Sequence, residues 1–121
     1  MRTLLLRAAA VAALSVPAAG IAAPGAQTEA EIAHLRDYLS ASNCEFYRNG
    51  SWHAAADARK HIDRKYAWLR KREMADTAEL FIERAASRSE RSGKPYRVRC
   101  QGTELEASRW LREELARFRA G

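Results

Sequence analysis

Apolar side chains recur three and four positions apart in the middle of this chain. Ala55, Ile62, Tyr66 and Leu69 fall on one helical face, with Ala58 at its edge. No Gly or Pro interrupts the stretch from Trp52 to Arg72, so the pattern predicts one long helix over 52–72. Asn49-Gly50 ahead of it reads as a turn, because both residues tolerate positive φ. Ser51 stands where an N-cap hydroxyl would accept a free backbone N–H of the first turn. A weaker face carries Ala54, Asp57, His61 and Trp68 and predicts a second packing partner.

The flanking segments follow the same logic. Thr28-Glu29-Ala30-Glu31 has capping-box spacing, and Ile32, Leu35 and Leu39 form the stripe of a helix running to about Ser42. Asp76-Thr77-Ala78-Glu79 signals another start, followed by Ala78, Phe81, Ile82 and Ala85 at i, i+3, i+4, i+7. Ser87 to Pro95, SRSERSGKP, is a polar loop with a turn at Gly93. Gln101 to Ala107 reads as a loop, and Ser108 as the cap of a last helix with Trp110, Leu111, Leu115 and Phe118 inward.

Two short segments alternate with period two instead: Cys44 to Arg48 and Tyr96 to Cys100. Paired antiparallel with Cys44 opposite Cys100, they set Phe46 against Val98 on one face. The other face then sets Glu45 against Arg99 and Tyr47 against Arg97. A lone ribbon is not stable, so the helices must cover its Phe46/Val98 face. The expected fold class is α+β, mainly α: about four helices packed on a short two-stranded antiparallel ribbon stapled by one disulfide.

Charge and cysteine usage add the setting. Arg2 and Arg7, an apolar run over Ala8 to Val16, Pro17 and the small residues Gly20, Ala22 and Ala23 have the layout of a cleavable secretory signal over residues 1–22. The run is short for a membrane span. Residues 23–27 then read as a flexible mature terminus and 28–121 as one small domain, placed in the periplasm or secreted. Cys44 and Cys100 are the only cysteines, and an even pair in an exported chain reads as a disulfide. Neither sits in a C-x-x-C arrangement that would favour redox or metal chemistry. Beyond residue 22 there are 19 basic and 15 acidic residues, a net charge of +4. That balance is too modest for a nucleic-acid partner. The 17 arginines against 4 lysines are accounted for by GC-rich codon usage.

The residues collected so far resemble a family of small exported bacterial proteins, the domain of unknown function numbered 5329. The resemblance is carried by Phe46 with Arg48-Asn49-Gly50, His61, Lys65-Tyr66, Thr77-Ala78-Glu79 with Phe81-Ile82, and Ala86-Ser87 with Ser89. Ser92-Gly93, Pro95-Tyr96 and Trp110-Leu111 complete it. It covers nearly all of the mature chain and implies a bacterial envelope protein, with no activity attached. The family pattern has a second serine where this chain has Glu90.

Three constellations could carry chemistry. His53, Asp57 and His61, spaced i, i+4, i+8, lie within about 80° on a helix but span about 12 Å, too long for three ligands on one ion. Asp57 and His61 remain a weak metal or enzymatic candidate, weighed against a simple Asp57–His61 hydrogen bond. No serine is tied to a histidine by a nucleophile motif, so no catalytic residue and no cofactor are assigned. Tyr47, Trp52 and Trp68 could form an aromatic surface but more often such residues are core. The most suggestive segment is basic: Arg84, Arg88, Arg91, Lys94, Arg97 and Arg99 against Glu90 alone, interleaved with Ser87, Ser89 and Ser92. Guanidinium and hydroxyl groups in that mixture suit a phosphate or carboxylate; the plainer account is a solvated face, with Arg84 and Arg88 complementing a helix C-terminus. The expected function is a non-catalytic binding or interaction module. Its contact loop would face an anionic ligand, an envelope protein, or an anionic glycan or lipid.

Overall fold

A computed structural model of the chain describes residues 19–121. The segment expected to be a signal peptide falls almost wholly outside them. In chain order the elements are α1 (Ala19–Ala41), β1 (Glu45–Arg48), β2 (Ser51–Ala54), α2 (Ala55–Lys71), α3 (Ala78–Ala85), β3 (Arg97–Cys100), β4 (Thr103–Glu106) and α4 (Ala107–Ala120). The protein is α+β and mainly helical, with one disulfide. No described helix is long and apolar enough to cross a membrane.

The expected ribbon is the inner pair of a wider sheet of order β2-β1-β3-β4, antiparallel throughout. Glu45 faces Arg99, Phe46 faces Val98 and Tyr47 faces Arg97, the register that the alternation predicts. Two flanking strands were not expected. Trp52–Ala54 pairs with β1 and is not helical, so Ser51 caps nothing; α2 starts at Ala55, and its N-cap position, Ala54, makes no side-chain bond. The physical reason is the Asn49-Gly50 turn. With φ of 48° and 90° the two residues form the positive-φ corner that two-residue hairpins need, and the chain returns alongside β1. Residues 103–106 likewise form a strand, reached through positive φ at Gln101 and Gly102. Ser108 is buried inside α4, and Glu106 holds the N-cap position.

The inner face of the sheet presents a row running His53, Phe46, Val98, Leu105. Phe46 and Val98 are buried against the helices, and Trp110 of α4 meets Phe46 edge-on at 5.5 Å between ring centroids. Ile32, Leu35 and Leu39 of α1, Ile62, Tyr66 and Leu69 of α2, Phe81 and Ile82 of α3 and Leu111 and Leu115 of α4 complete one core. Phe118 is half out, stacked on His34 at 4.1 Å. The outer face is left to Arg99–Glu45 and Arg97–Glu104 ion pairs and a Tyr47–Trp52 contact. Cys44 and Cys100, 56 positions apart, are bonded with their Cα atoms 4.7 Å apart at one end of the β1–β3 pair.

The caps are also redistributed. α1 continues back past Thr28 to Ala19. Thr28 is therefore no N-cap: its hydroxyl donates to the Asp76 carbonyl, and Glu31 takes Arg119 in place of a free N–H. For α3 the cap is Thr77, whose Oγ1 accepts from the Leu80 N–H at 3.1 Å.

Candidate functional site

The site is built where the Asn49-Gly50 turn, the flank of α2 and the 87–95 loop meet. The loop is held from within. Arg88 bridges to Pro95, the Ser89 N–H donates to the Lys94 carbonyl at 3.0 Å, and the Gly93 N–H donates to the Ser89 carbonyl at 2.8 Å. Ser89 is buried, and its hydroxyl accepts from the Arg91 and Ser92 N–H groups. Ser87 Oγ donates to the Ile82 carbonyl and Ser92 Oγ to Asn49 Oδ1 at 2.8 Å. The three hydroxyls are thus fastened to this fold, one of them across to the β1–β2 turn.

Against this loop α2 presents His61 and Lys65, one turn apart on the same flank. Tyr96, the residue that follows the loop, is buried and points its hydroxyl at both. Lys65 Nζ donates to Tyr96 Oη at 3.2 Å, and His61 Nε2 is 3.2 Å from the same oxygen. Lys65 also reaches the Arg88 carbonyl at 3.4 Å and lies 5.1 Å from the Tyr96 ring centroid. With Lys65 donating, the single Tyr96 proton is free for an unprotonated Nε2.

Burial and neighbouring cations set the protonation states. Burial first, then Arg48, Lys65, Arg64 and His53, push His61 down to about 4, so its ring is neutral at pH 7. Burial, and then Arg48, lower Lys65 against the pull of Glu90. Burial raises Tyr96, partly offset by Arg48. The three groups form a neutral imidazole, a phenol and an ammonium in a positive field.

Two spaces adjoin His61. One is a small half-open cavity of about 40 Å³ with an almost wholly apolar surface, walled chiefly by Leu39, Phe46, Ala58, Ile62, Ala86 and Leu111 and bordered by Arg48, His53, His61 and Tyr96. The other is an open groove of about 260 Å³ lined by His61, Arg64, Lys65, Trp68, Leu69, Arg84 and Glu90. Trp68, half exposed, carries the Arg72 guanidinium 3.8 Å above its ring.

The cations divide into those that hold a carboxylate and those that do not. Arg36, Arg59, Arg70, Arg97, Arg99, Arg109, Arg117 and Arg119 each hold a carboxylate. Among the described residues Arg48, Arg64, Lys65, Arg84, Arg88, Arg91 and Lys94, which lie about the groove, the cavity and the loop, hold none, and neither do Lys60, Lys71, Arg72 and Arg112. Arg84 donates only to the Met74 carbonyl. The structure therefore gathers Arg84, Arg88, Arg91 and Lys94 of the expected contact segment around the loop, and sets Arg97 apart on the outer sheet face with Glu104.

The other candidates change partners. His53 lies on β2, so the helical His53–Asp57–His61 series does not form. Asp57 is exposed and makes no hydrogen bond to His61, whose partner is Tyr96. Among the described residues no three His, Cys, Asp or Glu side chains converge as a metal set. Sequence reasoning did not connect Arg48, Arg64, Lys65 and Tyr96 to the site; the available signal was His61-x-x-x-Lys65 on one flank of α2.

Comparison with known proteins agrees on kinship. A family model described as a family of unknown function, DUF5329, matches residues 26–119. The chain is 39% identical over 88 residues to the uncharacterized protein YfeK of Salmonella typhimurium, a match covering 72% of each chain. No solved structure matches.

Proposed function

The chain belongs to the DUF5329 family, and from the geometry of its own site we propose that it is a non-catalytic, exported binding module for an anionic ligand. One observation carries this reading: cations without carboxylate partners converge on the groove and cavity beside His61. Leaving a half-buried guanidinium such as Arg48 unmatched is unfavourable unless something else supplies the negative charge. An acid group from outside does so, taking donors from Arg48, Arg64 and Lys65, while Arg84, Arg88, Arg91 and Lys94 extend the positive surface over the loop.

Export through residues 1–22 is supported by the layout of that segment and by the Cys44–Cys100 bond, which persists in oxidising compartments. The serines of the loop serve this function by shape. Ser92 pins the loop to the Asn49 turn, Ser87 ties it to the end of α3 and Ser89 braces it from within, so that the guanidinium groups keep their places.

The test is photo-crosslinking in living cells, with the probe at position 88 and a control probe at Lys60. A discrete adduct at 88 alone, weakened by added salt, is the expected result, and its mass distinguishes an acidic protein from an anionic glycan or lipid. Equal labelling at both positions, or none at 88, would remove the loop as a contact surface.

A further inference from the structure

The geometry points to a short amphipathic anion as the ligand: a small carboxylic acid whose head sits on Arg48 and whose apolar tail of a few carbons enters the cavity behind it. The inference rests on the anion reading above and adds the ligand's class. The cavity walls are Leu39, Phe46, Ala58, Ile62, Ala86 and Leu111, and none of them offers a side-chain hydrogen bond. At about 40 Å³ it has room for roughly three water-sized groups, taking about 10–15 Å³ for each. Water there would lack the two to four polar partners that hold it, whereas methylene and methyl groups need none.

Arg48, His53, His61 and Tyr96 border the cavity but turn almost no polar surface into it, so only apolar atoms enter and the charged head stays at the rim. Arg48 is a fixed charge without a carboxylate partner among the described residues, and Lys65 beside it is anchored to the Tyr96 hydroxyl. The carboxylates of Glu45, Glu104 and Glu106 lie in the outward-facing rows of the sheet. Glu90 is the acid nearest by field, and it lines the outer groove instead of the cavity. A cationic ligand would meet like charges; a neutral apolar one would leave Arg48 unmatched. An inorganic anion would leave the apolar walls unfilled.

The test is an NMR titration of the disulfide-bonded protein with phosphate, acetate, propionate, butyrate and pentanoate at constant ionic strength, read at His61 and Tyr96. Each methylene that enters raises affinity roughly fourfold, so butyrate is expected to bind on the order of ten times more tightly than acetate. The rise should flatten once the cavity is full. Ala58→Leu, which fills the cavity from its half-buried edge, should bring butyrate down to the level of acetate. Arg48→Gln should weaken the whole series. Equal affinities for acetate and butyrate in the wild-type chain overturn the tail pocket and leave the anion site standing. No binding of any member, phosphate included, overturns both.

Discussion

Arg119 and Arg48 are the same residue type in opposite circumstances. Arg119 of α4 makes four hydrogen bonds to two carboxylates, with Nε and Nη2 on Glu31 and Nη1 and Nη2 on Glu79. Glu31 is 4% exposed, and its pairing ties α1, α3 and α4 together. Arg48, at the end of β1, is half-buried with no such partner. The first guanidinium is consumed by the fold. The second is available, and so are Arg64 and Arg84 in the groove beside it. Arg72 and Arg112 are unmatched as well, but Arg48, Arg64 and Arg84 line one cavity and groove.

The largest expected effect breaks the matched side. Arg119→Ala leaves the buried Glu31 carboxylate unpaired. A fully buried pair broken this way loses about 3–5 kcal/mol. Since Arg119 is 41% exposed, about 2–3 kcal/mol is expected after allowance for solvent screening. For a domain of this size that lowers Tm by roughly 10–20 °C, readable by calorimetry. Arg48→Gln should move stability by no more than about 0.5 kcal/mol, or raise it.

Next comes acid sensitivity, where both regions contribute with separate signatures. The folded values of Glu31 and Glu79 are lowered, chiefly by their hydrogen bonds to Arg119, and that of Glu114 by hydrogen bonds to His34 and Arg117 against its burial. Their stabilisation is present above the ordinary carboxylate value and is lost as pH falls through the lowered ones. His61 acts higher. Its folded value of about 4 lies below the ordinary 6.5, so between these pH values the unfolded chain binds the extra proton and stability falls on acidification. The loss over that window is on the order of 1–2 kcal/mol after discounting for solvent. His61→Gln should flatten the limb between pH 6.5 and 4 and leave the lower limb intact, as chemical denaturation across pH would record.

The smallest effect on stability sharpens the contrast. Arg88→Glu with Arg91→Glu reverses two exposed charges that hold no carboxylate, so unfolding should shift by less than about 0.5 kcal/mol. Capture at position 88's surface and anion affinity should both fall, most at low salt.

How much of this was legible in the chain follows from where each signal sits. The Cys44–Cys100 bond and the Phe46–Val98 register were readable because a period of two and an even cysteine pair specify the same alignment. The stripe Ala55, Ile62, Tyr66, Leu69 was readable because all four are buried. β2 was hidden because Trp52-His53-Ala54 is too short to show alternation before the helix begins, although Asn49-Gly50 is itself a hairpin signal. β4 was hidden because Thr103 to Glu106 is an edge strand with only Leu105 facing in. For the site, periodicity found His61 and supplied Asp57 as its neighbour, since helical spacing sees only partners within one element. The true partner, Tyr96, is 35 positions away and is brought in by the loop. Ion pairing is equally invisible along the chain: nothing local distinguishes Arg97, matched by Glu104 across the hairpin, from Arg48, matched by nothing.

The most direct test of that difference is the unfolding temperature with and without phosphate at constant ionic strength, in wild type, Arg119→Gln and the double variant Arg48→Gln, Arg64→Gln. Ligand binding to the folded state stabilises by RT ln(1 + [L]/Kd), about 1.4 kcal/mol at ten times Kd. The expected result is that Arg119→Gln unfolds at a lower temperature yet gains the same increment from phosphate as wild type. The double variant should start at the wild-type temperature and gain nothing. If instead the double variant starts as low as Arg119→Gln, or gains the full increment, the unmatched cations belong to the fold or to solvent, and the binding account is wrong.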